Sequence, residues 1–259
     1  MNTLKQKRTL FSQIAIFGLL AVGVTSIVVS AFYASSFLAI FGLAMVFWGV
    51  ILLYITPVKH VPLALLNASA NANDNNIERI LSEFNLTEKG IYLPPRNLKN
   101  IEFNLIFVPQ TSKTPLPTSE EATETLFSNK KNGVILTPPG LALSRLFELE
   151  FGSSFTKTDF AHLQQTFPKL LVDNLEIAEN IEIQMHEDII TIEITGSILN
   201  AVCQETNNQP KTHAQVGCLL TSAFACILAK ATGKPITIQS ETRNIETKTT
   251  VIKYSIEEE

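Results

Sequence analysis

The three cysteines and four histidines of this 259-residue chain are its best-equipped residues for covalent or metal chemistry. Cys203, Cys218 and Cys226 stand in the last quarter, with His213 between the first two. As zinc donors they have the right atoms, but no CxxC pair occurs and the spacing fits no ribbon or finger, so no metal site is expected. As a nucleophile Cys218 is the candidate. Gly217-Cys218 falls in the first turn of a helix read over Gln215–Thr232, where the macrodipole lowers a thiol pKa, and His213 is a nearby base. A triad also needs a third group to orient the base, and none is evident. Cys218 and Cys226 share their helix with Leu219, Ala223, Phe224 and Leu228, where a thiol packs as a small apolar side chain. No catalytic residue is therefore assigned, and Cys218 and His213 stand as the candidates to test.

The carboxylates offer less. His186-Glu187-Asp188 has acid–base chemistry, but it sits where a hairpin must turn, and turns favour such polar residues. Glu148 and Glu150 lie on a predicted helix, and Glu182 and Glu193 are placed to face each other across two strands. No Walker loop, GxGxxG, HExxH, GxSxG or EF-hand pattern occurs, so no cofactor is expected. Thr137-Pro-Pro-Gly140 precedes a helix from Leu141 whose first amides could hold an anion, although the two prolines remove donors. An odd set of three cysteines without a framework reads as free thiols in a reducing compartment.

The elements that must carry these residues are clearest in the C-terminal part, 157–259. A helix over Lys157–Asn174, with Pro168 able to kink it, leads to alternating strands near Glu179–Met185 and Ile189–Ser197. An Asn- and Gln-rich loop follows, then the helix that ends at Gly233, and strands Ile236–Ser240 and Thr249–Ile256. The order helix–strand–strand occurs twice. It predicts an α+β fold with an αββ–αββ pseudo-repeat, an antiparallel sheet carrying helices on one face. Ile181, Ile183, Ile190, Ile192 and Ile194 alternate with polar residues, so the other face is expected to be polar.

Before this, residues 77–156 hold a helix bearing Ile77, Ile80, Leu81 and Phe84, short strands at Ile91–Leu93 and Glu102–Val108, and a mobile loop over 109–132. Gly90-Ile-Tyr-Leu-Pro-Pro95 is echoed in Gly133-Val-Ile-Leu-Thr-Pro-Pro139. Both read as strands halted by prolines; the functional alternative is two loops meeting around a ligand. Residues 59–76 are expected to be a linker.

The N-terminal segment, 1–58, is of another kind. From Thr9 to Val58 no Asp, Glu, Lys or Arg occurs, and two apolar stretches, about 10–33 and 37–56, each approach the ~20 residues that cross a bilayer as a helix. This predicts a two-helix transmembrane hairpin with the lipid bilayer as partner through residues 10–56. Gly18, Ala21, Thr25, Gly42 and Gly49 offer close helix packing. Lys5, Lys7, Arg8 and Lys59 flank the spans while the turn is uncharged, so both termini are expected in the cytoplasm. Two sequons, at Asn67 and Asn85, would count only if the domain faced outward. All 24 acidic residues follow the hairpin, and an acidic domain without a basic run argues against nucleic acid as a partner.

Gly90-Ile-Tyr-Leu-Pro-Pro95, Leu136-Thr-Pro-Pro-Gly-Leu-Ala-Leu143 and Cys218-Leu-Leu-Thr-Ser-Ala-Phe-Ala225 through Gly233-Lys-Pro235 sit in a layout that resembles uncharacterised archaeal membrane proteins. Those pair a two-helix hairpin with a cytoplasmic α+β domain. The resemblance implies no assigned activity and no catalytic residues. The leading expectation is a membrane-anchored cytoplasmic binding or scaffolding module for an unknown protein or small molecule. A membrane-associated enzyme using Cys218 with His213, or the carboxylates Glu182 and Glu193, is the first alternative. A self-associating homo-oligomer is the second.

Overall fold

The computed structural model describes residues 2–54, 63–98, 101–124, 127–128, 133–200, 203 and 209–257. The flanking Lys59 and most of the Asn- and Gln-rich loop (201–202 and 204–208) lie outside the described residues. The chain divides into two compact units, Met1–His60 and Val61–Glu259.

The first unit is a pair of helices, α1 (Asn2–Tyr33) and α2 (Ser36–Tyr54), joined by a tight turn in which Ala34 takes a positive φ of 47°. Close approach fixes their contact. A Cβ on Gly23 would lie 2.8 Å from a Val46 methyl, one on Gly42 2.8 Å from the Gly23 carbonyl, and one on Gly49 2.6 Å from Leu20. Small residues let backbones meet where apolar side chains face outward instead. Gly42 and Gly49 were expected at this contact, and Gly23 was not. Gly18, Ala21 and Thr25 turn away from it, because their positions fall on the outer arc of α1; nothing approaches Gly18. Thr25 satisfies its hydroxyl on the Ala21 and Val22 carbonyls one turn back. The outer faces carry Phe17, Phe32, Phe37, Ile40, Leu43 and Phe47, all exposed, Phe32 to 84% and Phe37 to 79%.

The second unit is α+β, built on an antiparallel sheet. Among the described residues its eight strands are β1 (Ile91–Leu93), β2 (Leu105–Pro109), β3 (Phe127–Ser128), β4 (Gly133–Leu136), β5 (Asn180–His186), β6 (Ile189–Thr195), β7 (Ile236–Asn244) and β8 (Thr249–Ile256). They run in the order β3-β4-β2-β1-β7-β8-β6-β5. The four C-terminal strands are thus half of a larger sheet, continued through β1 on β7. Helices α3 (Leu63–Glu83), α5 (Leu141–Phe151), α6 (Phe160–Lys169) and α8 (Leu219–Thr232) supply the main core with the inward residues of the sheet. Phe147, Phe155, Phe167 and Phe224 meet at its centre, with Phe147 and Phe224 each edge-on or tilted against Phe167 or one another. Such ring pairs add to the area they bury.

Three expectations need correction. Residues 63–76 belong to α3, so the linker read over 59–76 is helical from Leu63; its alanines favour helix, and Asp74 and Ile77 are buried. The loop over 109–132 contains α4 (Ser119–Glu124) and β3, although 125–126 and 129–132 lie outside the described residues. Ala122 and the half-buried Leu116 cover Leu93, Leu105, Phe107 and Ile135 on the back of β1, β2 and β4, which is why all five residues of β2 are buried. The back face is polar only across the C-terminal strands. Finally, the helix read over Lys157–Asn174 is a 3₁₀ turn, then α6, then a π-helical turn at Leu170–Asn174. Pro168 lacks the amide an α-helical ladder needs there, and the wider turn accommodates the loss.

Candidate functional site

Residues on several segments meet at the N-terminal end of α8. The approach begins at α7 (Pro210–Gln215), whose first amides are capped by the Glu78 carboxylate of α3: Thr212 donates its backbone N–H over 2.7 Å and its hydroxyl over 2.9 Å. Gln215 is held at both ends, its side-chain amide donating to the Leu86 carbonyl and its own carbonyl accepting from Gly90. The helix expected from Gln215 is therefore two helices. Gly217 takes φ +79° between them, a geometry that favours glycine, and a Cβ there would press on Ile238 and Thr221. This break sets Cys218 as the N-cap of α8 and places His213 one short helix before it.

The opposing residues come from β7, through a bulge. Register with β8 runs Ile238 to Tyr254, then Ser240 to Lys253, leaving Gln239 extra. One inserted residue reverses which side chains face inward. Glu241 consequently lies opposite buried Ile252 and Arg243 opposite buried Thr250, both on the core side. The Lys89 ammonium satisfies the carbonyl of the bulged Gln239. Strand β7 was read only to Ser240, so Glu241 and Arg243 were missed.

These two charges knit the cluster together. Arg243 Nε donates to Glu241 Oε1 over 2.7 Å, and His213 Nε2 lies 3.7 Å from the same oxygen. Burial raises the Glu241 pKa, but His213 and Arg243 outweigh it, so the carboxyl sits below its usual range. Arg243 Nη2 reaches to 4.0 Å from Cys218 Sγ, and the Thr221 hydroxyl lies 3.3 Å from that sulfur. His213 Nε2 and Arg243 Nη1 are buried without a hydrogen-bond partner among the described residues. Tyr254 and Tyr92 close the floor, their hydroxyls donating to the Thr221 and Val216 carbonyls; burial holds both well above the usual phenol pKa.

The expectation of three free thiols is corrected here. Cys203 and Cys218 form a disulfide, their Cα atoms 5.3 Å apart, and only Cys226 is free. The partners stand fifteen positions apart in sequence, and the tertiary fold brings Cys203, whose amide donates to the Leu199 carbonyl, against the N-cap of α8. Cys218 is 1% exposed and Cys203 2%. Cys226 is buried deeper along α8, where desolvation pushes its thiol pKa far up, as suits a packing residue. Thus His213 gains Glu241 as an orienting partner, while Cys218 is engaged by Cys203.

A second feature occupies the opposite end of α8. An open cleft of about 880 Å³ is lined by Pro95, Arg96, Arg145, Glu148, Ser154 and Lys230, among others. Lys230, 6% exposed, donates to Glu148 over 2.6 Å. Burial raises the Glu148 pKa, but Lys230, the Ser154 hydroxyl and the Phe155 amide together bring it below the usual range. The first Pro-Pro segment borders this cleft. The second packs onto α8, where the Gly140 amide donates to Ser222 and a Cβ at Gly140 would overlap Ala223. The Gly140 amide is thus spent, and the Leu141 amide donates to the Pro138 carbonyl, so two amides of the segment suggested as an anion site are engaged internally. Elsewhere Glu182 does stand opposite Glu193, and Glu187-Asp188 turn the β5–β6 hairpin.

The family model described as Domain of unknown function (DUF7982) matches residues 2–255. No curated protein and no solved structure matches the chain.

Proposed function

The chain therefore belongs to the DUF7982 family, and on that premise we propose that it is a membrane-anchored binding module. In this reading the hairpin spans the bilayer twice, over about 10–33 and 37–56, and the α+β unit sits in the cytoplasm with both termini. One observation carries the anchor. The hairpin spends Gly23, Gly42 and Gly49 on its own contact and turns Phe17, Phe32, Phe37, Ile40, Leu43 and Phe47 outward, without a charge from Thr9 to Val58. In water that surface would cost roughly 25 cal/mol for each Å² exposed, whereas lipid removes the cost. The flanking Lys5, Lys7 and Arg8 support the orientation.

The binding role is supported by the cleft at the C-terminal end of α8. Arg96 and Arg145 stand at its rim, Ser153, Ser154 and Thr156 supply hydroxyls, and Leu149 and Ile101 add apolar surface. This chemistry suits a small anion with an apolar portion. Alkaline extraction of membranes should leave the full chain in the pellet. Protease added to intact cells should spare the α+β unit and digest it only after lysis; digestion from outside reverses the orientation. Isothermal titration with phosphorylated small molecules should show binding that Arg96→Ala with Arg145→Ala removes.

A further inference from the structure

We propose that Cys203 and Cys218 form a redox-active pair that exchanges with a low-molecular-weight thiol, with Cys218 as the stabilised thiolate. Three features of its surroundings favour charge on that sulfur against the burial that opposes it. Cys218 caps the N-terminus of the 14-residue α8, where free amides and the helix dipole favour an anion. The Arg243 guanidinium stands 4.0 Å away and the Thr221 hydroxyl 3.3 Å away. Glu241, the opposing charge, is already engaged by Arg243 and His213. Tyr92 and Tyr254, the other titratable groups of this floor, stay neutral because burial raises their pKa values.

Both sulfurs are buried and neither lines a cavity, so the exchange needs a local opening, for which the Arg243 side is the nearest wall to solvent. Arg243 also lines an open recess of about 410 Å³ with Glu179, Asn200, Lys248 and Thr250. Asn200 lies one turn before Cys203, and Arg243 reaches from the recess toward the Cys218 sulfur. In the exchange, a small thiolate attacks Cys203 Sγ, the disulfide breaks, and its electron pair leaves on Cys218. A second thiolate then attacks the mixed disulfide, giving an oxidised small disulfide and the Cys203 thiol. Two thiols lose two electrons and two protons. Cys203 takes up one proton, Cys218 remains a thiolate, and the other proton goes to solvent. The better leaving group is the sulfur with the lower pKa, which assigns the attacked atom to Cys203. A cytoplasmic disulfide is more often exchanging than structural, so the choice of a cytosolic thiol as co-reactant rests on the orientation proposed above.

The test uses the full chain purified in detergent. Non-reducing peptide mapping should find Cys203 joined to Cys218. Millimolar reduced glutathione should open the pair reversibly, and oxidised glutathione should close it again. In the reduced protein, ultraviolet thiolate absorbance should show one group ionising below about pH 7.5, absent in Cys218→Ser and retained in Cys203→Ser. Arg243→Met should raise that midpoint by about one pH unit, and Thr221→Val, which spares the Glu241 contact, should raise it by a smaller step. A disulfide that stays closed in glutathione, or a Cys218 that ionises at about 8.5 or above, overturns the proposal. These readouts use purified protein, so their failure leaves the anchor reading untouched. A chain that extracts as soluble would sink the anchor reading and leave the thiol chemistry standing.

Discussion

Helices α2 and α8 are both apolar, yet they solve opposite problems. The stretch Pro210–Thr232 is long and apolar enough to cross a membrane by length and composition, but 83% of its apolar window is buried inside the α+β unit. Helix α2 leaves Phe37, Ile40, Leu43 and Phe47 exposed and buries Gly42 and Gly49 instead. The two also differ in their polar content. Helix α8 carries Thr221, Ser222 and Lys230, each with an internal partner. Apolar composition alone therefore does not distinguish a helix buried in a core from one that leaves its large apolar side chains exposed. What distinguishes them is which side chains, large or small, are turned toward protein.

The sharpest test of this contrast is a matched pair of truncations. Phe224→Ala on α8 should cost about 3–5 kcal/mol, because it opens a cavity between Phe147 and Phe167. Phe37→Ala on α2 should leave the unfolding midpoint of the α+β unit unchanged. Denaturant titration of the full chain in mild detergent measures both, and an equal cost for Phe37→Ala would collapse the distinction.

A somewhat smaller effect should follow from the buried charge of α8. Glu148→Gln strips Lys230 of its partner and should cost about 3 kcal/mol, with Lys230→Met less damaging because it leaves the half-buried carboxylate nearer to water. The pH dependence has a fixed sign. The folded pKa values of Glu148 and Glu241 lie below the unfolded ones, so their stabilisation is complete above about pH 4.3 and disappears as pH falls through the folded values. Acid titration of Glu148→Gln should therefore show a shallower loss over that window than the parent chain.

Next in size is Glu241→Gln, which leaves Arg243 and His213 without their shared carboxylate. A loss of about 1–3 kcal/mol is expected in the same denaturant assay. The smallest change should come from the hairpin contact. Gly42→Leu forces apart the backbones that meet at Gly23, and spin labels at the exposed Val28 and Phe41 should separate by up to about 2 Å. No movement would mean that small residues do not set the spacing, and the contrast with α8 would lose its physical basis.

Much of this architecture was legible in the chain. The isoleucines of β5 and β6 alternate as a one-sided strand pair does, and Glu182 falls opposite Glu193 as their spacing predicts. Gly233 stops α8 in a left-handed cap. These features depend on near neighbours and short turns, which the local sequence specifies. The covered back face of β1, β2 and β4 was not legible, because Leu116 and Ala122 look like loop residues until a second apolar surface exists for them to cover. Of the candidate site, Cys218 and His213 could be named in advance. Glu241 and Arg243 could not, although the broken alternation at Gln239-Ser240 after Ile236 and Ile238 was a usable signal of a bulge.

By itself the sequence determined the apolar hairpin, the antiparallel α+β pattern and the acidic charge of the second unit, since each follows from composition or a short period along the chain. The pairing of Cys203 with Cys218 and the inward turn of Glu241 and Arg243 were decided only by tertiary structure. A strand residue's facing is counted from its partner strand, and one extra residue on β7 against β8 reverses it. No stretch of β7 read alone contains that count.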